Sequence, residues 1–275
     1  MKKLVYPAFI WFLLFLIIPL FIVLFVSFLS RSEYGSIQYI FQIDNYARVF
    51  QFVYLKIFAA SLKLAFLTSF LCLMIGFPIA WVIATSKAQY RPALIMSLAI
   101  PFLTNLIIRI YATRLFVGID GPVQGLMRSL GIPFDEFAFT QNEVLVLYGM
   151  VTTYLPFMIF PLYAAFEKFN FSLVEAALDL GASPTRILFK VLLPNMKVAI
   201  VNGFILVFIP CLGEFVIPDL LGGAKNMLVG NLITEQFLKA RDWPFGAALS
   251  MVLILILILM PILLKKVFLR RVPSE

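Results

Sequence analysis

Six times along this chain, about 20 or more successive residues pass with scarcely a charge: roughly 7–29, 57–84, 93–116, 144–166, 198–217 and 245–264. A helix needs about 20 mostly apolar residues to cross the hydrocarbon core of a bilayer. Inside that core the backbone must satisfy its own hydrogen bonds, which leaves helices and closed barrels. Apolar runs of this length read as helices. The predicted fold is therefore all-α, an integral membrane bundle of six spans. Composition agrees: 63% of the 275 residues are hydrophobic and 13% charged, where soluble domains hold about 45–50% and about 25%. A water-soluble domain, a disordered chain and a disulfide scaffold are excluded.

Charge then sets the orientation. With the N-terminus inside, the inner segments carry 12 basic residues, among them Lys87, Lys168, Arg186, Lys190, Lys265 and Arg271, against four acids. The outer segments carry seven basic residues and nine acids. The positive-inside rule puts both termini in the cytoplasm. The net charge of +8 is thus a matter of topology and needs no nucleic acid. Met1-Lys2-Lys3 before the first run could mimic a signal peptide. That run exceeds the usual 7–15 residues and no A-x-A-like cleavage site comes after it, so it reads as a retained helix.

There is no histidine, and both cysteines, Cys72 and Cys211, lie inside apolar runs. Histidine-based catalysis and metal ligation lose their usual residue. No catalytic residue and no metal site is expected. The largest loops span about 25–30 residues, too few for a nucleotide-binding domain, and there is no G-x-x-x-x-G-K-[ST] pattern. If the chain pumps, its energy source is on another chain. No inverted half-repeat is visible, which weakens a secondary-carrier reading.

The loop 170–194, between the fourth and fifth runs, is the most informative. Ser172 and Glu175 have the spacing of a capping box, so a short helix should begin there. Gly181 suits its C′ position. Ser183-Pro184 reads as a second N-cap with proline at N1, and Pro194 should stop or kink the helix that reaches it. Leu173, Ala176 or Ala177, and Leu180 form an apolar stripe, while Glu175 and Asp179 share another face. The paired alanines would let another backbone come close. Docking on a partner and resting on lipid are both open on this evidence.

Glu175-Ala176-Ala177, then Gly181, then Leu193-Pro194, resembles the EAA motif of ABC importer permeases of the binding-protein-dependent type. The resemblance covers roughly residues 57–264 and implies the type I ABC importer permease fold. It divides the chain into 1–56 (a first helix and outer loop), 57–264 (the permease core) and 265–275 (a basic tail). It implies a multi-pass protein of the bacterial inner membrane, partnered by a second permease subunit, two ATP-binding subunits and an extracytoplasmic binding protein. ATP and Mg would belong to the partner ATPase, with no cofactor on this chain. Glu175, Ala176, Ala177, Gly181 and Pro194 would carry ATPase coupling.

A narrower resemblance rests on Asp44-Asn45-Tyr46, Pro101–Asn105, Arg109-Ile110-Tyr111, Asp219–Asn226, Gly230-Asn231 and Arg241-Asp242-Trp243-Pro244. These are similar to the first permease subunit of spermidine/putrescine importers. Gly213–Pro218 is closer to the putrescine-only sister, so the two cargoes stay open. A polyamine path should offer carboxylates, carbonyls and aromatic faces. Glu214, within the fifth run, and Asp219, at the outer mouth, are the candidate carboxylates. Arg109 is expected to pair with one of them, fix helix packing or snorkel. Asn105 could hydrogen-bond across helices. Tyr111, Tyr148 and Tyr154 could line the path. Lys63 reads as a snorkelling residue and Trp81 as an interface anchor. The rival readings are the same permease role for another small solute, and a stand-alone ion-coupled carrier or channel.

Overall fold

A computed structural model describes residues 10–32, 35–118, 121–131, 143–222 and 227–268. Five helices are long and apolar enough to cross a membrane: α1 (Ile10–Ser27), α3 (Phe52–Thr85), α7 (Glu143–Glu167), α9 (Pro184–Gly213) and α12 (Trp243–Phe268). The third predicted span is not one rod. It is α4 (Arg91–Leu103) and α5 (Leu106–Val117), broken at Thr104-Asn105. Counted as one broken span, the pair makes six. Short helices α2 (Asp44–Val49), α6 (Pro122–Ser129), α8 (Ser172–Asp179), α10 (Val216–Leu221) and α11 (Val229–Leu238) complete the helical set. An antiparallel hairpin, β1 (Leu29–Arg31) with β2 (Ile37–Phe41), follows α1 and pairs Arg31 with Ile37. Hydropathy had assigned no element to this stretch.

The chain falls into two units, Met1–Ala60 with Met227–Leu259, and Ser61–Asn226 with Met260–Glu275. In the first, side chains tie the hairpin and α2 to the start of α12. Asn45 is buried and donates to the carbonyls of Ser27 and Leu29 at 3.0 and 2.8 Å. The Arg48 guanidinium pairs with buried Asp242 at 3.0 Å and lies 3.9 Å from the centroid of the Phe245 ring. The other Asp242 oxygen accepts from Phe245 N at 3.2 Å, which caps α12. Arg31 donates to Ala240 O at 2.7 Å, just before Arg241, whose φ is +51°.

In the second unit α7 is the hub. It packs along α9 and also meets α4, α5 and α10. Without a hydrophobic force between spans, membrane helices gain from close packing of small residues. Gly203 of α9 shows this: a Cβ there would lie 2.7 Å from Met158 Sδ. Gly149 of α7 sits as closely under α10, where a Cβ would lie 2.8 Å from Leu221 and 3.0 Å from Ile217. Pro194 neither stops nor breaks its helix. The chain runs helically from Pro184 to Gly213, and a π turn at Leu188–Leu192 precedes the proline. A wide turn changes the hydrogen-bond partners where a proline lacks its N–H.

Candidate translocation path and docking loop

The fifth span ends one residue before Glu214. At that point α9 has Gly213 as its last residue, and Glu214 is extended (φ −67°, ψ 131°) between α9 and α10. The carboxylate is buried, at 8% exposure, yet it is fully engaged by its own chain. Oε1 accepts from the backbone N–H groups of Phe215, Val216 and Ile217 at 3.1, 2.9 and 3.4 Å. Oε2 accepts from the hydroxyl of Tyr154 on α7. Tyr154 is itself buried, at 7%. This is the first departure from expectation: Glu214 holds a helix junction together, and Tyr154 is its partner rather than an open aromatic wall. Asp219, on α10, is exposed. Tyr111 and Tyr148 are also exposed, on α5 and α7.

Arg109 and Asn105 both serve the break in the third span. Asn105 Oδ1 accepts from Ile107 N at 2.8 Å and so caps α5. This local bond replaces the cross-helix one expected, because an asparagine beside a free helix N-terminus has N–H donors closer at hand. Arg109 reaches back to the end of α4, where its Nη2 donates to Pro101 O at 2.6 Å and Thr104 O at 3.1 Å. Among the described residues it forms no ion pair with Glu214 or Asp219. The carbonyls that a helix end leaves open occupy it instead. Lys63 does not simply snorkel; it pairs with Glu143 at 3.2 Å on an exposed surface. From the break an aromatic line leads inward. Phe102 meets Phe157 edge-on at 5.2 Å, and Phe157 lies 6.2 Å from the Tyr154 ring.

The loop 170–194 holds the short helix α8, but not through the expected box. Asn170 Oδ1 accepts from Ser172 N at 3.1 Å and from Ser172 Oγ at 2.7 Å. Backbone bonds already start at Asn170 O. The cap is therefore Asn170, two residues earlier than expected, and Ser172 falls in the first turn. Gly181 has φ +74°, and its N–H donates to Leu178 O at 2.8 Å to close the C-terminal turn, the left-handed C′ position expected of it. Ser183 Oγ accepts from Arg186 N at 3.4 Å ahead of Pro184. The face that α8 turns toward its own chain is Phe171, Val174 and Ala177, all half-buried. Leu173, Ala176 and Leu180 point away, with Leu173 at 47% and Leu180 at 88% exposure. Glu175 and Asp179 are exposed as well.

An aromatic stack anchors that face. Phe171 lies edge-on to Trp81 of α3 at 5.4 Å, and Trp81 to Phe166 of α7 at 5.4 Å. Phe77 joins Phe166 at 5.1 Å. Trp81 therefore fastens a loop to two spans. Sequence reasoning missed Asn170, Phe171 and this role of Trp81. The signal for the cap was present, since asparagine is as good an N-cap as serine.

Residues 73–272 match the family described as the binding-protein-dependent transport system inner membrane component. The chain belongs to this family. Relatives agree over nearly its whole length. The spermidine/putrescine transport system permease protein PotB of Salmonella typhimurium (strain LT2) is 39% identical over 250 residues, covering 91% of this chain and 87% of that one. The protein of the same name from Escherichia coli K12 is 38% identical and covered to 91% on both sides. Among solved structures, a bacterial ABC transporter involved in the import of the acidic polysaccharide alginate superposes with a TM-score of 0.73 at 18% identity, over 99% of this chain and 96% of that one. That likeness establishes the type I ABC importer permease fold. This family member is thus a multi-pass inner membrane transport component.

Proposed function

We propose that this chain is one of two permease subunits of an ATP-driven importer for polyamines, forming half of the translocation path. The observation that carries the cargo is the identity of 38–39% over 91% of the chain to permeases named for spermidine and putrescine. The path residues suit it: the exposed carboxylate of Asp219, the carbonyls at the end of α4 and the exposed rings of Tyr111 and Tyr148 lie in one unit. In this reading an extracytoplasmic binding protein delivers cargo between this chain and a second permease. Two ATP-binding subunits, which carry the ATP and Mg, sit on the cytoplasmic side with both termini of this chain. The chain itself has no catalytic role.

The exposed stripe of α8 supports the ATPase contact: Leu173, Ala176 and Leu180 stand clear of their own chain, beside Glu175 and Asp179. A cleft in the ATPase would cover them. Gly181 gives the sharp exit that keeps α8 short, and the first turns of α9, with their π turn, carry its motion past Pro194 along the span. Closure of the ATPase dimer on ATP would push α8 and, through the Trp81 stack, α3 and α7.

The test is the ATPase rate of the reconstituted complex with its binding protein, titrated with putrescine and spermidine. Stimulation by either supports the reading and names the cargo. An intact complex that responds to neither discards the polyamine. Glu175→Lys is expected to leave the complex in the membrane and abolish cargo-stimulated hydrolysis; normal stimulation would refute the docking role of α8.

A further inference from the structure

The break between α4 and α5 denies the last carbonyls of α4 the donors of a continuing helix; Pro101 O takes only the N–H and the hydroxyl of Thr104, at 3.4 and 2.6 Å. Pro101 O, Phe102 O, Thr104 O and Thr104 Oγ1 converge on one nitrogen, Nη2 of Arg109, at 2.6, 3.5, 3.1 and 3.3 Å. A guanidinium ordinarily binds through its planar fork, with parallel bonds from two nitrogens. Here the fork goes unused, and among the described residues Nε is buried with no partner. The cage is shaped for a single nitrogen bearing several N–H groups, which describes an ammonium better than a guanidinium. The C-terminal end of a half-helix also carries partial negative charge, and interrupted spans elsewhere set such ends against cations. The cage is open on this chain: Phe102, Leu103 and Thr104 are exposed. Phe102 also begins the aromatic line to Phe157, Tyr154 and Glu214.

We propose that this carbonyl cage is a station for an ammonium group of the cargo, and that Arg109 is its tethered occupant when cargo is absent. The inference rests on the polyamine reading above. Exchange is cation for cation, so Thr104 O is not left facing the hydrocarbon unpaired, the state that costs most, while Pro101 O keeps its Thr104 donors throughout. A flexible cargo with several ammonium groups can take the cage at one end and lay its chain along Phe102 and Phe157, whose ring faces attract cations. Anions and uncharged solutes have no means of displacing Arg109.

The experiment is calorimetric titration of spermidine into the solubilised permease–ATPase complex without its binding protein. Arg109→Gln removes the tethered cation and leaves the cage. Spermidine affinity is expected to rise about tenfold, whereas Arg109→Lys, which keeps a tethered cation, stays within about threefold of the wild type. Unchanged or weaker affinity in an intact R109Q complex overturns the proposal. Where R109Q lowers the melting temperature, spermidine should raise it by more than it raises the wild type, since it fills the vacated cage. An equal rise in both overturns the proposal too. Spermidine uptake by wild-type proteoliposomes supplied with the binding protein and ATP is the control. Its absence refutes the polyamine reading and the cage with it; normal uptake with an unresponsive R109Q refutes the cage alone.

Discussion

At the scale of single residues, the roles turned on which backbone groups were left open nearby. Glu214 has the chemistry of a cargo ligand, yet three N–H groups and one hydroxyl take up its carboxylate. Tyr154→Phe removes that hydroxyl and leaves Oε2 buried without its donor, at a cost of about 1–3 kcal/mol. A lower melting temperature of the purified complex is expected. Glu214→Gln keeps an acceptor for the N–H groups, so it should melt above Glu214→Ala; equal melting of the two would remove Glu214 from the junction. The residue types were legible in advance, because an acid and an arginine inside apolar runs stand out. Their partners were not. Asn105 and Arg109 bond to groups exposed by a bend, and no spacing rule shows where a span bends.

Among the elements, the long helices were readable because hydropathy over 20 residues averages out local exceptions. The breaks and caps were less so. Serine with glutamate three residues on is a strong capping signal, yet Asn170 competes from two residues upstream and wins. Asn170→Ala should cost α8 about 1 kcal/mol, seen as a loss of cargo-stimulated ATPase in a complex that still assembles. Undiminished stimulation would mean that the Trp81 stack holds α8 without its cap. The α7–α9 contact makes a different demand. Gly203→Val places a branched side chain where even a Cβ lies 2.7 Å from Met158. Overpacking of this kind costs about 1–3 kcal/mol, and adding Met158→Ala should recover part of the loss in a thermal melt. In the first unit, the motifs at 44–46 and 241–244 looked unrelated in sequence. The chain brings them together through Arg48, which lies beside the first motif and pairs with Asp242 of the second.

At the scale of the whole molecule, orientation follows from charge and is open to direct test. Cys72 and Cys211 are free and buried, so they offer no background to an impermeant thiol reagent until the protein is denatured. Ser183→Cys should label in inverted vesicles and not in intact spheroplasts, and Lys239→Cys the reverse; the opposite pattern would turn the proposed topology over. The broken third span also bears on how the protein is made. Its halves are 13 and 12 residues, about 20 and 18 Å of helix at 1.5 Å per residue, against a hydrocarbon core of about 30 Å. Neither half can leave the translocation channel for lipid alone, and α5 carries Arg109 besides. Both halves are then expected to wait in a protein-lined place until α7, which packs against them, emerges. Biogenesis of this subunit is therefore expected to pause after residue 131: a chain truncated there, held in the membrane by α1 and α3, should leave a cysteine placed at Ile110 of α5 open to a water-soluble thiol reagent, while one extended through Glu167 should bury it.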